Sequence, residues 1–239
     1  MRRNTPGVVG VDALVPALIS RVERFAAKTV IERLEPFVLD RRRERLLSAI
    51  GARLESVQVV FDAPHDPHNG AAVLRSCEAF GVQHVHVVER LEPFLSAVSV
   101  SRGAEKWVDV HRWASADEAV SSLRADGLEL IGARPDGELA PHDLATIPRV
   151  CLVLGNERDG IAGDLAAACS RSVRVPMRGL IESLNVSVTA AILLAYATSG
   201  RAGDLSPDER DRLYARGLYF TVDKAERILE DLDASSPRA

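Results

Sequence analysis

Asn69, Arg75, Glu157, Ser183 and Asn185 are polar side chains set at the edges of apolar runs, a setting that invites chemistry. Asn69 lies in the stretch Asp66-Pro67-His68-Asn69-Gly70, where its side chain can cap a helix whose Val73, Cys77 and Phe80 face the core at i, i+4 and i+7. Arg75 then points away from that stripe, presenting a planar fork of donors of the kind that engages phosphates and oxyanions. Gly81 ends the helix. A plain cap and a solvated surface charge would account for the same two residues, and spacing alone does not separate the readings.

Glu157 sits in the turn Gly155-Asn156-Glu157, directly after the apolar run Val150 to Leu154. Polar residues at the carboxyl end of a parallel strand lie where open α/β sheets bind ligands, although a plain turn also uses Gly and Asn. Ser183-Leu184-Asn185 closes a loop that leaves a strand at Pro176 and passes through Gly179. Such a loop exposes main-chain N–H and C=O groups that could hold the adenine of a cofactor without any charged side chain.

The elements that must position these residues alternate between strand and helix. Val57 to Phe61 reads as a strand, Asn69 to Phe80 as a helix, and Val82 to Val88 as a second strand with polar Gln83, His84 and His86 interspersed, the two histidines alternating as its polar face. A helix near Ala116 to Ala125, strands at Leu128 to Ala133 and Val150 to Leu154, a helix near Asp164 to Cys169 and a strand at Ser172 to Val175 follow. This pattern predicts an α/β fold with a mostly parallel sheet covered on both faces. From Asn185 to Ala197 the sequence is nearly all apolar, which predicts a helix buried all round, in an interior or an interface. Residues 12–50 read as two helical segments separated at Pro36, the first carrying Leu14, Leu18, Val22 and Phe25 at helical spacing. Ser206-Pro207-Asp208-Glu209 starts a short helix, a last one runs roughly from Thr221 to Leu232, and a tail follows from Ala234. The expected organisation is an N-terminal helical extension over 1–55, an α/β domain over 56–200 and a C-terminal helical extension over 201–239.

Composition narrows the classes. With 239 residues, 46% hydrophobic and 27% charged, the chain has the content of an ordinary globular protein. Cys77, Cys151 and Cys169 are odd in number and far apart, so neither a disulfide framework nor a zinc cluster is indicated, and a reducing cytoplasm fits. No run is long and apolar enough for a membrane span, and Asp12 and Pro16 interrupt the apolar N-terminus that loosely imitates a signal peptide. The net charge of −4 hides an asymmetry, since residues 1–55 hold 11 Lys and Arg against 7 Asp and Glu. Arg41, Arg42, Arg43 and Arg45 form a cluster able to meet a phosphate backbone, though a solvated helix face has the same look. His65 and His68 lack a third ligand at useful spacing, so no metal is expected. Asn185-Val186-Ser187 matches a glycosylation sequon inside an apolar segment and is taken as accidental.

Taken in order, the segments DPHNGAAVLRSCEAFGVQHVHVV, CLVLGNERDGI and VRVPMRGLIESLNVSVTAAILLAYA closely resemble the SpoU/TrmH family of RNA ribose 2′-O-methyltransferases, within the SPOUT superfamily. The likeness covers roughly residues 56–200, with more in Ser101 to Val108 and in the helical ends, which look like those of the tRNA-specific branch. The resemblance implies a sheet whose C-terminal part forms a deep trefoil knot, which general topology rules would exclude. It also implies a homodimer and a bound S-adenosylmethionine. Carried over by motif, Asn69, Arg75, Glu157, Ser183 and Asn185 are the catalytic set, with Arg75 pivotal. Ala133, Gly155, Val175, Met177 and Leu184 are the cofactor contacts, largely through main-chain atoms. Arg41, Arg42, Arg43, Arg45 and Arg201 are expected at the RNA. Tract Ala197-Thr198-Ser199-Gly200-Arg201 replaces the arginine-rich run that follows the apolar helix in many tRNA-specific relatives, leaving one arginine there.

The implied reaction moves a methyl group from S-adenosylmethionine to a ribose 2′-hydroxyl, with tRNA (guanosine(18)-2′-O) methylation the first expectation. Ribosomal 23S RNA is the alternative substrate, and a non-catalytic RNA-binding protein the second alternative. A nicotinamide-binding Rossmann enzyme would suit the strand and helix pattern, but no GxGxxG follows the first strand.

Overall fold

The computed structural model describes residues 18–62, 66–90, 103–156 and 158–233. Its helices and strands in the first half are α1 (Ala27–Leu34), α2 (Asp40–Gly51), β1 (Val57–Asp62), α3 (Pro67–Ala79), β2 (His84–Val88), β3 (Asp109–Trp113) and α4 (Ala116–Ala125). The second half adds β4 (Glu129–Ala133), β5 (Val150–Leu154), α5 (Gly163–Ala168), β6 (Arg171–Val173), α6 (Val186–Ala197), α7 (Pro207–Thr221) and α8 (Ala225–Asp233). The described residues within 53–204 form one compact unit, and the described segments before and after them form a second. The two expected terminal extensions are thus parts of a single helical unit.

In the helical unit, α7 opens with a capping box between Ser206 and Glu209 and runs through Leu213 to Tyr219 without an exposed side chain. It is a central helix rather than the short one expected. The first expected helical segment is broken at 23–26 as well as at Pro36. Glu23, at that break, pairs with Arg212 and with Arg216, whose guanidinium is nearly inaccessible and requires a carboxylate partner. Periodicity cannot register such a tertiary demand. Leu14 and the tail from Ala234 lie outside the described residues.

The larger unit is built on a parallel sheet of order β3-β2-β1-β5-β4-β6. One face carries Val57, Val59, Phe61, Val85 and Leu152, covered by Val73, Leu74 and Cys77 of α3 and by Leu193 and Leu194 of α6. The other carries Val60, Val88, Leu130 and Val153, covered by α4 and by Leu165 of α5. The helix after β1 and the helix after β5 therefore go to opposite faces. These strands are neighbours, so their connections diverge at the carboxyl ends, where open parallel sheets leave a crevice.

At β6 the chain does something that periodicity does not forecast. On one side β6 pairs with β4, Ala133 opposite Val173, and Arg134 N–H donates to Val173 C=O at 3.0 Å. On its other side Leu139 N–H donates to Ser172 C=O at 2.9 Å, and Arg174 N–H donates to Leu139 C=O at 3.1 Å. The short link 134–139 thus closes around β6. Gly137 lies so near that a Cβ there would stand 2.5 Å from the carbonyl carbon of Val173, which only glycine avoids.

Three expectations are corrected. The edge strand β3 was missed because Asp109-Val110-His111-Arg112-Trp113 has too few apolar residues to signal a strand. Helix α6 is buried only along Ala190, Leu193, Leu194 and Ala197, while Val188 and Tyr196 are each 46% exposed. His86 is not on a solvated polar face but 5% exposed. Its Nδ1 accepts from Trp113 Nε1 at 3.0 Å, so its Nε2 carries the proton and donates to Gln58 Oε1 at 2.7 Å. The ring also stacks on His111 at 4.8 Å. These partners order β3 on β2 through polar contacts. Among the described residues no helix is long and apolar enough to cross a membrane.

Burial, with His111 and His84 beside it, pushes His86 down to about 3. Its folded pKa lies below the unfolded value of about 6.5, so the unfolded chain takes up a proton that the folded one refuses. We expect stability to fall as pH drops below about 6.5, and His86→Gln to flatten the difference in unfolding free energy between about pH 7 and 5. Urea titrations at the two values measure it. Gly137→Ala should cost about 3 kcal/mol or more, read in the same titration, because the neighbour it meets is main chain.

Candidate active site

Helix α3 is capped not by Asn69 but by Asp66, whose carboxylate accepts from His68 N–H at 2.8 Å, with Pro67 at the first helical position. This corrects the expected cap and releases the Asn69 side chain for another partner. Asn185 Nδ2 donates to Asn69 Oδ1 at 3.0 Å. Asn185 is itself the cap of α6, its Oδ1 accepting from the N–H of Ser187 at 2.8 Å and from the Ser187 hydroxyl at 2.6 Å. One amide thus starts a helix and ties it to a residue 116 positions earlier. Arg75 is exposed and has no side-chain partner among the described residues. Six residues of helix set it about 120° around α3 from Asn69 and about 9 Å along the axis.

A cleft of about 840 Å³ opens beside this link, at the carboxyl ends of β4, β5 and β6. Ala133, Gly155, Val175, Met177 and Leu184 all line it, as do Ser183 and Asn185. Its size suits a small organic ligand. Leu154, Val175 and Leu184 contribute apolar surface. Among the described residues, the main chain of 175–184 makes no main-chain hydrogen bond, so its N–H and C=O groups are available to whatever enters. Gly155 is fixed by the returning loop, since Asn156 and Gly160 exchange main-chain hydrogen bonds at 3.1 and 3.2 Å. A Cβ on Gly155 would stand 2.1 Å from the Gly160 carbonyl carbon.

The other expected positions fare differently. Glu157 and His65 lie outside the described residues, as do Ser101 and Arg102. In the helical unit Arg41, Arg42 and Arg45 are exposed, and helix geometry puts them on one side of α2. Arg43 is drawn inward instead, paired with Asp40 and Glu35, and Glu35 in turn accepts from Tyr214 Oη at 2.7 Å. Burial and that carboxylate raise the Tyr214 hydroxyl to about 12. Arg201 is a clamp on main chain. Its guanidinium donates to the carbonyl oxygens of Ala197 and Pro148, each at 2.7 Å, and also to that of Ile147. Those donors face backbone, not a ligand.

The SpoU rRNA methylase family model matches residues 56–195 of this sequence. The chain belongs to the SpoU rRNA methylase family. It is 28% identical over 196 residues to the tRNA (guanosine(18)-2′-O)-methyltransferase of Escherichia coli K12, a match covering 78% of this chain and 86% of that one. The A. aeolicus TrmH/SpoU tRNA modifying enzyme superimposes with a TM-score of 0.68 at 24% identity, over 77% of this chain and 98% of that one, a likeness of fold. The SpoU methyltransferase AviRb from Streptomyces viridochromogenes, solved in complex with the cofactor AdoMet, matches with a TM-score of 0.53 at 27% identity, over 65% of this chain and 63% of that one.

In this SpoU methylase, sequence reasoning missed the carboxylate that anchors the second motif. Asp62, wholly buried at the end of β1, accepts from Ala162 N–H at 2.7 Å and from Arg90 Nε at 2.7 Å. Arg90 continues to Asp164 at 2.7 and 3.1 Å, and its hydrogen bonds hold the Asp164 carboxyl below its ordinary range. An acid ending a buried strand was the available signal. None of the three thiols is activated, since burial pushes Cys77 up to about 12, Cys169 to about 11 and Cys151 upward as well. Among the described residues no His, Cys, Asp and Glu cluster could hold a metal ion.

The amide of Asn185 separates two roles. Asn185→Ala removes cap and link together and should cost about 1 kcal/mol by thermal melting. Asn185→Asp keeps the capping oxygen and loses the donor to Asn69, so its melting point should stay near that of the parent while methyl transfer falls by ten-fold or more.

Proposed function

We propose that this chain transfers a methyl group from S-adenosylmethionine to a ribose 2′-hydroxyl of RNA, at guanosine 18 of tRNA. The observation that carries the reading is the cleft lined by 175–184, whose main chain makes no main-chain hydrogen bond among the described residues, joined through Asn185 to Asn69 of the first motif. An adenosyl group fits such a cleft, because adenine is held by N–H and C=O groups and its ring by apolar side chains. Gly155, Val175, Met177 and Leu184 would hold it, with Ala133 at the end of β4. When bound, S-adenosylmethionine supplies an electrophilic methyl on a sulfonium. The E. coli relative's name and the family support tRNA as the acceptor.

The transfer is an in-line displacement at carbon, so the protein must align the hydroxyl and accommodate its proton. Arg75 carries no side-chain partner among the described residues, which leaves its fork for a phosphate and the developing charge on the 2′-oxygen. With a pKa above about 12 it remains a cation, and a phosphate oxygen or water takes the proton. Asn69, held by Asn185, orients the ribose, with Ser183 at the cleft and Glu157 beside Asn156. Arg41, Arg42 and Arg45 meet the RNA backbone.

The chain works as a homodimer in this reading, and the half-exposed face of α6, with Val188 and Tyr196, is the surface a second copy covers. Leu180 and Ile181, exposed in the loop, extend that surface. In this reading the C-terminal part of the sheet carries a trefoil knot, and the hydrogen bonds that close 134–139 around β6 support it. A tRNA-modifying enzyme of this kind acts in the cytoplasm.

Incubation with methyl-labelled S-adenosylmethionine and separate pools of unmodified tRNA and ribosomal RNA tests the reading. Label should appear in tRNA, at one guanosine ribose. Label in 23S RNA alone reassigns the substrate, and a chain that binds RNA without heat of cofactor binding is the non-catalytic alternative. Arg75→Lys should lower turnover by about 100-fold or more with cofactor affinity unchanged, because an ammonium cannot reproduce the fork.

A further inference from the structure

Within residues 53–204 the described arginines fall into two groups. Most are tied down, each donating to a carboxylate, a carbonyl or a side-chain amide, as Arg90 does to Asp62 and Arg171 to Glu129. Four have no side-chain partner among the described residues: Arg75, Arg158, Arg174 and Arg178. Their locations are not scattered. Arg158 follows β5, Arg174 follows β6, and Arg178 lies in the loop that leads on to α6. Arg158 and Arg174 line the cleft itself, and Met177 and Gly179, on either side of Arg178, line it too.

Arginine left unpaired at the ligand end of a parallel sheet, when its counterparts elsewhere are neutralised, marks where an external anion is met. The carboxylates Asp159 and Glu182 stand in the same loops, yet no ion pair joins them to these guanidiniums. The adjacent Arg134 is different, its fork closed on Asp136 at 3.0 Å. We propose that Arg158, Arg174 and Arg178 form a phosphodiester track at the mouth of the cleft, holding the RNA backbone beside the nucleotide that is methylated. The inference rests on the RNA methyltransferase reading and adds residues that neither the motifs nor the charge distribution singled out. Sequence placed the positive charge in residues 1–55, whereas this track lies in the catalytic unit.

Each guanidinium that meets a phosphate releases counterion, so the track makes a definite contribution to salt dependence. Unmodified tRNA transcript is the probe, with filter binding between 50 and 200 mM salt. Replacing all three residues by glutamine should weaken binding at least ten-fold at the low end and flatten the log–log salt slope by roughly 2. S-adenosylmethionine affinity by calorimetry and the melting temperature should stay at parent values. Neutralising Arg124, which donates to the Ala168 carbonyl, should change none of these. Unaltered tRNA affinity and slope overturn the proposal. So does a loss confined to S-adenosylmethionine affinity, which would assign the guanidiniums to the cofactor carboxylate. If the parent methylates tRNA and the triple variant does so with unchanged KM, the track is wrong while the activity stands. If the parent methylates no RNA, the reading beneath it fails first.

Discussion

The main chain of 134–139 packs against β6 as closely as a glycine allows, and the site depends on that arrangement. β6 is hydrogen-bonded by β4 on one flank and by Leu139 on the other, with Gly137 at a separation that no side chain tolerates. A short strand of three residues at the edge of a sheet would ordinarily be its least secure element. Held from both sides, it becomes a fixed exit for the chain. The segment 175–184 leaves from that exit and bridges to the cap of α6, its main chain making no main-chain hydrogen bond among the described residues. An irregular loop with unpaired N–H and C=O groups is tolerable only where water or a ligand satisfies them, and stays useful only if its ends cannot drift. The constraint at β6 supplies one fixed end and Asn185 supplies the other.

The opposite wall of the cleft is secured by charge rather than by close main-chain packing. Asp62 is fully buried and would be costly there alone. Its two oxygens are divided between Arg90 and the N–H of Ala162, so the carboxylate connects the end of β1 to the entry of α5. The loop between β5 and α5 is thereby pinned at its far side, while Asn156 and Gly160 pin its near side. Removing one partner of such a buried pair generally costs several kcal/mol because the other charge stays uncompensated. The two walls use unlike physics, steric exclusion at Gly137 and electrostatics at Asp62, and both serve to hold loops at the carboxyl ends of the strands.

Much of this was legible from sequence where burial alone decides structure. Val150 to Leu154 is apolar throughout and emerges as β5 with those bounds, and Ala116 to Ala125 emerges as α4. Motif resemblance located the lining positions Ala133, Gly155, Val175, Met177 and Leu184, which the fold gathers from three separate stretches around one cleft. What escaped was structure made by polar partners across long separations. β3 has a weak pattern because His111 and Trp113 are ordered by His86 and Gln58, not by a row of aliphatics. Asn69 looked like a cap because Asn is a good one, but Asp66 three residues earlier took that role. Its exchange for the bond to Asn185 is invisible until the chain is folded. Arg43 and Arg201 looked like surface cations, and only coordinates reveal the carboxylates and carbonyls that engage them.

The same distinction bears on how charge should be read in a chain whose net value is −4. Formal totals treat every arginine alike, yet one whose fork is closed on a carboxylate presents little field to a polyanion. Arg171 against Glu129 and Arg90 against Asp62 and Asp164 are of this kind, and the hydrogen bonds from Arg171 hold Glu129 below its ordinary range. Exposed cations without such partners remain able to attract a phosphate, an attraction largely screened beyond about 8–10 Å. The helical unit offers such cations along α2, and the catalytic unit offers them at one end of its sheet. A net acidic protein can therefore bind an anion tightly if its acids are absorbed in internal pairs or lie far from the site. The favourable potential is then local, and so is the salt dependence that it imposes.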